Sequence, residues 1–206
     1  MLNELPSVRL YLPEITYLII LQTYLMIKFA FLLLVSILGL QTAARASFPS
    51  LTNSAFEKQC ITRTNALRAL HKNTPSIIID HALVSYAQTR CAAISQSPYL
   101  SAGHYGLAPG YGENLYWGAS SSPFTPNCDS AVNSWYSESS NYNYANPGFS
   151  SGTGHFTQLI WAATTRQGCA TCGGQGSQWY EVYIVCVYKP PGNYVGQFAK
   201  NVNPLK

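Results

Sequence analysis

The stretch VYIVCVYKPPGNY, from Val182 to Tyr194, decides the fold class of this 206-residue chain. Its first seven residues are all apolar or aromatic, and β-branched valine and isoleucine are frequent among them. A strand with one solvated face alternates apolar and polar residues, whereas a strand covered on both faces is apolar throughout. The run therefore predicts a buried central strand from Val182 to Tyr188.

Helical periodicity predicts three helices before this strand, at residues 54–71, 81–94 and 129–141. Ser54 and Glu57 have the spacing of a capping box at the start of the first helix, and Asp80 is placed to cap the second. A short helix is expected at 155–161 and a further strand at 167–170, with a turn at 173–176. Residues 96–126, rich in Gly, Pro, Ser and Tyr, are predicted to form a long ordered loop. This order of elements predicts an α+β layered domain.

The first 46 residues are predicted to be a signal-peptide region, and residues 47–206 to be the folded domain. After Met26 come a lysine, an apolar run at 29–40 and the small residues of Ala44-Arg45-Ala46, which is the layout of a secretory signal with cleavage before Ser47. Residues 1–25 are interpreted as a gene-model extension. The alternative is a signal anchor over residues 17–40, which is long enough to span a bilayer. Gln22 and Lys28 within that run argue against it, so we expect a secreted protein without a membrane anchor.

Charge and cysteine usage narrow the class of protein. From residue 47 onward there are nine Lys or Arg and six Asp or Glu, so the net charge of about +3 is too mild and too scattered for a nucleic-acid-binding surface. Six cysteines behind a signal peptide predict disulfides, and six cysteines allow fifteen pairings. They are Cys60, Cys91, Cys128, Cys169, Cys172 and Cys186.

Two histidines and two glutamates are the strongest candidates for a functional site: His104, Glu113, Glu138 and His155. Carboxylates are scarce in this chain, and these two glutamates have no evident role as helix caps. Neutral imidazole is a good ligand for zinc, and a carboxylate that holds the other ring nitrogen orients it. The alternative is a purely structural hydrogen-bond network that ties two loops together. The other two histidines, His71 and His81, are interpreted as surface helix positions.

Several multi-residue motifs resemble the CAP superfamily of cysteine-rich secretory proteins, antigen 5 and pathogenesis-related 1 proteins. GHFTQLIW at 154–161 resembles one signature of that family, and YIVCVYKPPGNY at 183–194 resembles the other. YGENL at 111–115 and the helix at 131–138 are similar to its remaining motifs. The closest resemblance is to secreted pathogenesis-related 1-like proteins of fungi and plants.

This resemblance implies an α-β-α sandwich with a surface cleft that contains the four His and Glu residues. In such proteins the two histidines can hold a divalent ion such as zinc or magnesium, with the glutamates near them. The resemblance also implies a disulfide between Cys169 and Cys186. For the other four cysteines we expect Cys60 with Cys91, across the first two helices, and Cys128 with Cys172.

An aromatic pattern formed by Tyr142, Tyr144 and Phe149 lies between Glu138 and His155. It resembles the caveolin-binding-like motif with which fungal members of the family bind sterols. Aromatic side chains suit a flat apolar ligand, so a sterol or another small lipid is the expected partner. The alternative is that these rings cover the core or the surface.

Two other functions are compatible with the sequence. A defence or virulence effector would act through a protein receptor, and the segment 190–194 resembles peptides with signalling roles in plant members of the family. An enzyme is not expected, although an open zinc position could activate water in a metal-dependent hydrolase. Gly148 to Gly152 matches G-x-S-x-G, but no histidine follows Glu181 and no aspartate follows Ser150, so the triad order cannot be completed.

Overall fold

A computed structural model describes residues 12–39 and 45–206 of the chain. The chain divides into two compact units, Met1–Ala44 and Arg45–Lys206. In the first unit, helix α1 spans Leu12–Gly39. Within the described part of the chain, no helix combines the length and the apolar character needed to cross a bilayer. Residues 1–11 and 40–44, on which part of the leader prediction depends, lie outside the described residues, so the signal peptide and its alternative stay predictions.

The second unit is built on a four-stranded sheet in the order β1-β3-β4-β2. The strands are β1 (Ile78–Ile79), β2 (Gly112–Ser120), β3 (Arg166–Gln175) and β4 (Tyr180–Lys189). β4 pairs antiparallel with β3 on one side and with β2 on the other, and β1 pairs parallel with β3. The predicted buried central strand is therefore confirmed.

Side chains of β4 alternate between two separate hydrophobic cores. Val182, Ile184, Cys186 and Tyr188 face one core, and Tyr183, Val185 and Val187 face the other. This follows from the two-residue period of a strand, and it explains why every position of the run is apolar. The first core is closed by α2 (Ser54–Arg68), α4 (Cys128–Ser137) and α5 (Gly154–Leu159), and the second by α3 (His81–Ile94). The result is the predicted α-β-α sandwich.

Helix starts follow the chemistry of side-chain caps, but not always at the predicted residue. Asp80 caps α3 as expected, since its carboxylate accepts a hydrogen bond from the Ala82 N–H at 2.9 Å. The cap of α2 is Asn53, whose Oδ1 accepts the Phe56 N–H at 2.9 Å, so the prediction of Ser54 as the cap is wrong. An asparagine serves equally well, because its side-chain oxygen satisfies the same exposed N–H groups.

The predicted long loop at 96–126 contains a full strand, β2, and this part of the prediction is wrong. β2 combines polar and aromatic residues with two glycines, a composition that local propensity does not assign to a strand. Its partner β4 pairs with it over nine residues, so tertiary context makes the strand. Glu113 therefore lies on a sheet strand and not in a loop. The turn predicted at 173–176 also shifts, because Gly173 and Gly174 belong to β3.

All six cysteines are paired in disulfides. The expected Cys169–Cys186 bond is confirmed, and it joins two residues directly opposite each other on β3 and β4. The other two expected pairings are wrong. Cys60 bonds Cys128, which joins α2 to α4 in the first core, and Cys91 bonds Cys172, which joins α3 to β3 in the second core. The error arose because α2 and α3 lie on opposite faces of the sheet, so cysteines on those two helices cannot meet.

The C-terminal tail is fixed by a histidine that was expected at the surface. His71 is 1% exposed, and its Nδ1 lies 2.6 Å from the Asn203 carbonyl oxygen while Nε2 lies 2.9 Å from the Tyr136 hydroxyl. A short bridge between His71 and Leu205 continues the contact. Burial lowers the pKa of His71, and the nearby Arg68 lowers it further against the effect of the Asn203 carbonyl. His81 is exposed, as predicted.

Candidate functional site

Three of the four predicted site residues line a single surface cleft of about 410 Å³: His104, Glu113 and His155. His104 lies in the turn-rich segment before β2, Glu113 is the second residue of β2, and His155 is in the first turn of α5. Glu138, at the end of α4, contacts His155. Tertiary structure thus brings these side chains together from four separate elements.

Glu113 is held by two partners from different elements. Its Oε1 lies 2.9 Å from Nδ1 of His104, and both of its oxygens accept hydrogen bonds from the Arg90 guanidinium, at 2.7 and 3.0 Å. Burial by itself raises the pKa of Glu113, but the hydrogen bonds from His104 and Arg90 outweigh it, so this pKa lies below its usual range. The carboxylate is therefore ionised at neutral pH and accepts a hydrogen bond from the Nδ1–H of His104.

Arg90 is a site residue that sequence reasoning missed. It lies on α3, its side chain is 6% exposed, and Nη1 also donates to the Tyr105 carbonyl at 2.9 Å. Buried arginines are rare unless they are paired, and Arg90 falls on the same buried face of α3 as Leu83, Ala87 and Cys91. An arginine on an apolar helix face was the signal that could have identified it.

Glu138 contacts both the backbone and the side chain of His155. Its Oε2 accepts hydrogen bonds from the backbone N–H groups of His155 and Phe156, at 3.0 and 3.1 Å, and Oε1 lies 2.6 Å from Nδ1 of His155. The carboxylate thus caps the start of α5 and also orients the imidazole of His155, so the expectation that Glu138 has no capping role is wrong. The ring of Trp135 lies nearly parallel to the imidazole, with centroids 6.4 Å apart.

Burial by itself raises the pKa of Glu138, yet its hydrogen bonds to His155 and Phe156 lower this pKa overall. Both glutamates are consequently anionic partners of an imidazole Nδ1. Within the part of the chain that the structure describes, neither Nε2 of these two histidines is engaged in a hydrogen bond.

The two His–Glu pairs determine which atoms are available to bind a metal ion. The donor set offers two imidazole Nε2 atoms at one cleft, each ring oriented by a carboxylate, which suits a divalent ion of the zinc type. Among the residues in the described ranges, the one group of three or more ligand atoms mutually within 4.8 Å is the sulfurs of Cys60, Cys128, Cys169 and Cys186, all bound in disulfides. Each glutamate therefore contacts the Nδ1 atom of one histidine, and the four side chains do not form a compact four-ligand cluster.

The floor of the cleft depends on two glycines and a glutamine, which sequence reasoning did not assign to the site. The Gln158 Oε1 accepts the Gly192 N–H at 2.7 Å, and a Cβ on Gly112 would overlap that same oxygen. A Cβ on Gly192 would also approach Gln158 and Trp161 to 3.0 Å. These close approaches explain why glycine occupies both positions in the motifs around Glu113 and Asn193.

The three residues of the predicted aromatic pattern occupy different environments within residues 142–153, which we call the aromatic loop. Tyr142 is buried in the first core, where its ring contacts Phe156 with centroids 5.7 Å apart. Tyr144 is 37% exposed and contacts Tyr142 edge-on at 4.9 Å. Phe149 is 60% exposed and lines the cleft beside Gly154. One ring thus anchors the loop, while two rings remain accessible.

The G-x-S-x-G match does not form a nucleophile elbow. Ser150 lies in a loop without a preceding strand, and its hydroxyl accepts a hydrogen bond from the Gly152 N–H at 3.3 Å. The strand-to-helix context that this motif requires is missing from the described residues around Ser150.

Comparison with known proteins gives consistent results. The model of the family described as CAP, the cysteine-rich secretory protein family, matches residues 61–188. Protein PRY2 of Saccharomyces cerevisiae is 40% identical over 156 residues, which cover 73% of this chain and 42% of that protein. The chain thus spans less than half the length of this relative.

Solved structures show the same fold. The structure of BmVAL-1 superposes with a TM-score of 0.60 at 21% identity, covering 76% of this chain and 85% of the other. The structure of NaASP2 with Zn²⁺ gives a TM-score of 0.51 at 20% identity, covering 75% and 87%.

Proposed function

This chain belongs to the CAP, or cysteine-rich secretory protein, family and is of its pathogenesis-related type, and on that premise we propose that it is a secreted protein that binds sterols or other small lipids. The proposed contact is the aromatic loop. Three disulfides support the secreted environment, because such bonds persist where conditions are oxidising.

The observation that carries the lipid proposal is the exposure of Tyr144 and Phe149 on a loop anchored by buried Tyr142. Exposed aromatic rings cost free energy in water, and a flat apolar ligand that covers them recovers it. Phe149 also lies at the edge of the cleft, so a ligand on the loop would lie beside His155.

The test is a double variant, Tyr144→Ala with Phe149→Ala, in a binding assay with radiolabelled cholesterol or ergosterol. Burial of each ring is worth about 1.5 kcal/mol or more, so the double variant should bind about 100-fold more weakly. Trp179→Ala is the matched control, because Trp179 is 44% exposed on the distant β3–β4 turn. Equal binding by the double variant and the parent, with unchanged melting temperatures, would show that the loop is not the ligand site.

We also propose that His104 and His155 bind a divalent ion through their Nε2 atoms, with Glu113 and Glu138 as orienting partners. Two protein ligands make a weak, open site, so occupancy should depend on the free metal concentration. NaASP2, which shares the fold, was solved with Zn²⁺. Calorimetric titration with Zn²⁺ should show binding that His155→Ala abolishes and His81→Ala preserves, since His81 is exposed elsewhere. Binding that survives His155→Ala would refute this site.

Adding a metal chelator to the assays distinguishes a lipid carrier from a metal-dependent enzyme. Sterol binding that persists in chelator is expected of the proposed carrier, because the aromatic loop needs no metal. Hydrolysis of a peptide or ester substrate that stops when chelator is added would instead support a metal-dependent hydrolase. That the chain is not an enzyme therefore stays a prediction.

A protein receptor is a second proposed partner. The segment from Pro190 to Tyr194 is accessible at its end, where Tyr194 is 50% exposed and the residue that follows it, Val195, is 90% exposed. If the protein acts through this segment, the double variant Tyr194→Ala with Val195→Ser should no longer bind the receptor but should still bind sterol. Loss of both activities would contradict separate sites.

A further inference from the structure

Arg45 lies between a carboxylate and an aromatic ring at the start of the second unit. Its Nη2 is 3.0 Å from Glu181 Oε2, and its guanidinium carbon is 4.5 Å from the centroid of the Phe48 ring. The Arg45 side chain is 21% exposed and that of Glu181 is 2% exposed. This is an ion pair with one member inside the protein, which differs from the exposed pairs that contribute little to stability.

Glu181 explains why a cation is needed at this place. It lies on β4, and its Oε2 accepts hydrogen bonds from the Tyr183 hydroxyl at 2.6 Å and from the Trp117 indole N–H at 3.2 Å. Both donors are neutral, so they hydrogen-bond Oε2 without balancing the charge of the carboxylate. A buried carboxylate without a counter-charge is strongly destabilising, and Arg45 supplies that charge.

The segment that carries Arg45 is fixed to the domain. The Phe48 N–H donates to Ser95 Oγ at 2.9 Å, and the Leu51 N–H donates to the Thr171 carbonyl at 2.9 Å. The Phe48 ring is buried and lies over Gly174, where a Cβ would approach it to 2.8 Å. Arg45 is only three residues from this anchor, so its position follows from the fold.

The predicted cleavage before Ser47 conflicts with this role, because it would remove Arg45 from the mature protein. The sequence offers a second pair of small residues, Thr42 and Ala44, that places a cut two residues earlier. We propose that processing occurs after Ala44 and leaves Arg45 on the mature chain as the charge partner of Glu181. This inference rests on the proposal that the chain is secreted behind a cleaved leader.

N-terminal sequencing and the intact mass of the full chain secreted by a yeast culture test the cleavage site. The expected product begins at Arg45. A product that begins at Ala46, Ser47 or later overturns the inference and leaves the secretion proposal intact. A chain that keeps its leader overturns both, while sterol binding by the aromatic loop is measured separately.

A double-mutant cycle tests the role of Arg45 in the same secreted protein. Arg45→Gln should lower the melting temperature by about 5 °C, and this effect should shrink when Glu181→Gln removes the buried charge. Arg63→Gln is the control, since Arg63 is only partly buried and its Nε donates to the neutral side chain of Asn133 at 2.7 Å, not to a carboxylate. An Arg45→Gln protein with the melting temperature of the parent would overturn the inference, because a product cut after residue 46 is identical for both genes.

Discussion

Replacing Arg90 by leucine is the most direct test of how the cleft is built. The two hydrogen bonds from Arg90 to Glu113, at 2.7 and 3.0 Å, join side chains that are 6% and 0% exposed. Without Arg90 the Glu113 carboxylate stays buried, with His104 as its remaining partner, and the His104 side chain is 53% exposed. Removing one member of a buried ion pair costs about 3–5 kcal/mol. For a domain of this size that lowers the melting temperature by roughly 6–20 °C.

The double variant Arg90→Leu with Glu113→Gln isolates the free-energy cost of the unpaired charge. A neutral amide at position 113 carries no uncompensated charge, so the double variant should be more stable than Arg90→Leu alone. Urea unfolding of the parent, both single variants and the double variant measures the coupling free energy. An Arg90→Leu protein within 1 kcal/mol of the parent would refute the reasoning. Zinc affinity should also fall in Arg90→Leu, by about 10–100-fold, because the group that orients His104 has lost its own support.

The buried His71, the close approach at Gly112 and the Asn53 cap each have a measurable effect on stability. Because burial lowers the pKa of His71, the unfolded chain binds more protons than the folded chain below about pH 6.5. The free energy of unfolding should therefore decrease on acidification, by at most about 1.4 kcal/mol per pH unit. Urea unfolding at pH 7.5 and 5.5 should show this slope reduced in His71→Gln, and an unchanged slope would contradict it. Gly112→Ala should destabilise the domain by more than 1 kcal/mol in thermal unfolding, since the added methyl overlaps the end of Gln158, which is buried and already hydrogen-bonded to Gly192; a neutral effect would show that Gln158 can move aside. Asn53→Ala should lower the free energy of unfolding by about 1 kcal/mol, and Ser54→Ala should lower it much less. The reverse order in urea unfolding would show that Ser54 is the helix cap.

The fold could be predicted from sequence to a considerable extent, because the signal was local. The apolar run at 182–188 gave the central strand, and Asp80 gave the start of α3. β2 could not be found in this way, since its residues form a strand only because β4 lies beside them. The disulfides of Cys60 and Cys91 were also beyond local reasoning, because their pairing depends on which face of the sheet each helix covers.

For the candidate site too, some features were predictable from the sequence and others were not. Residue type and motif identified His104, Glu113, Glu138 and His155, since few carboxylates and histidines are present and each lies in a distinctive context. Their grouping into two His–Glu pairs was decided by tertiary structure.

By itself, the sequence determined the family, the central strand, the helices and the identity of the chemical groups available to the cleft. Only the tertiary structure decided which partner each group has: Arg90 behind Glu113, a helix start under Glu138, and Arg45 against Glu181. The physical reason is that motifs and periodicity report the local chain, whereas a buried charge is balanced by whatever distant side chain the packing of layers brings within 3 Å.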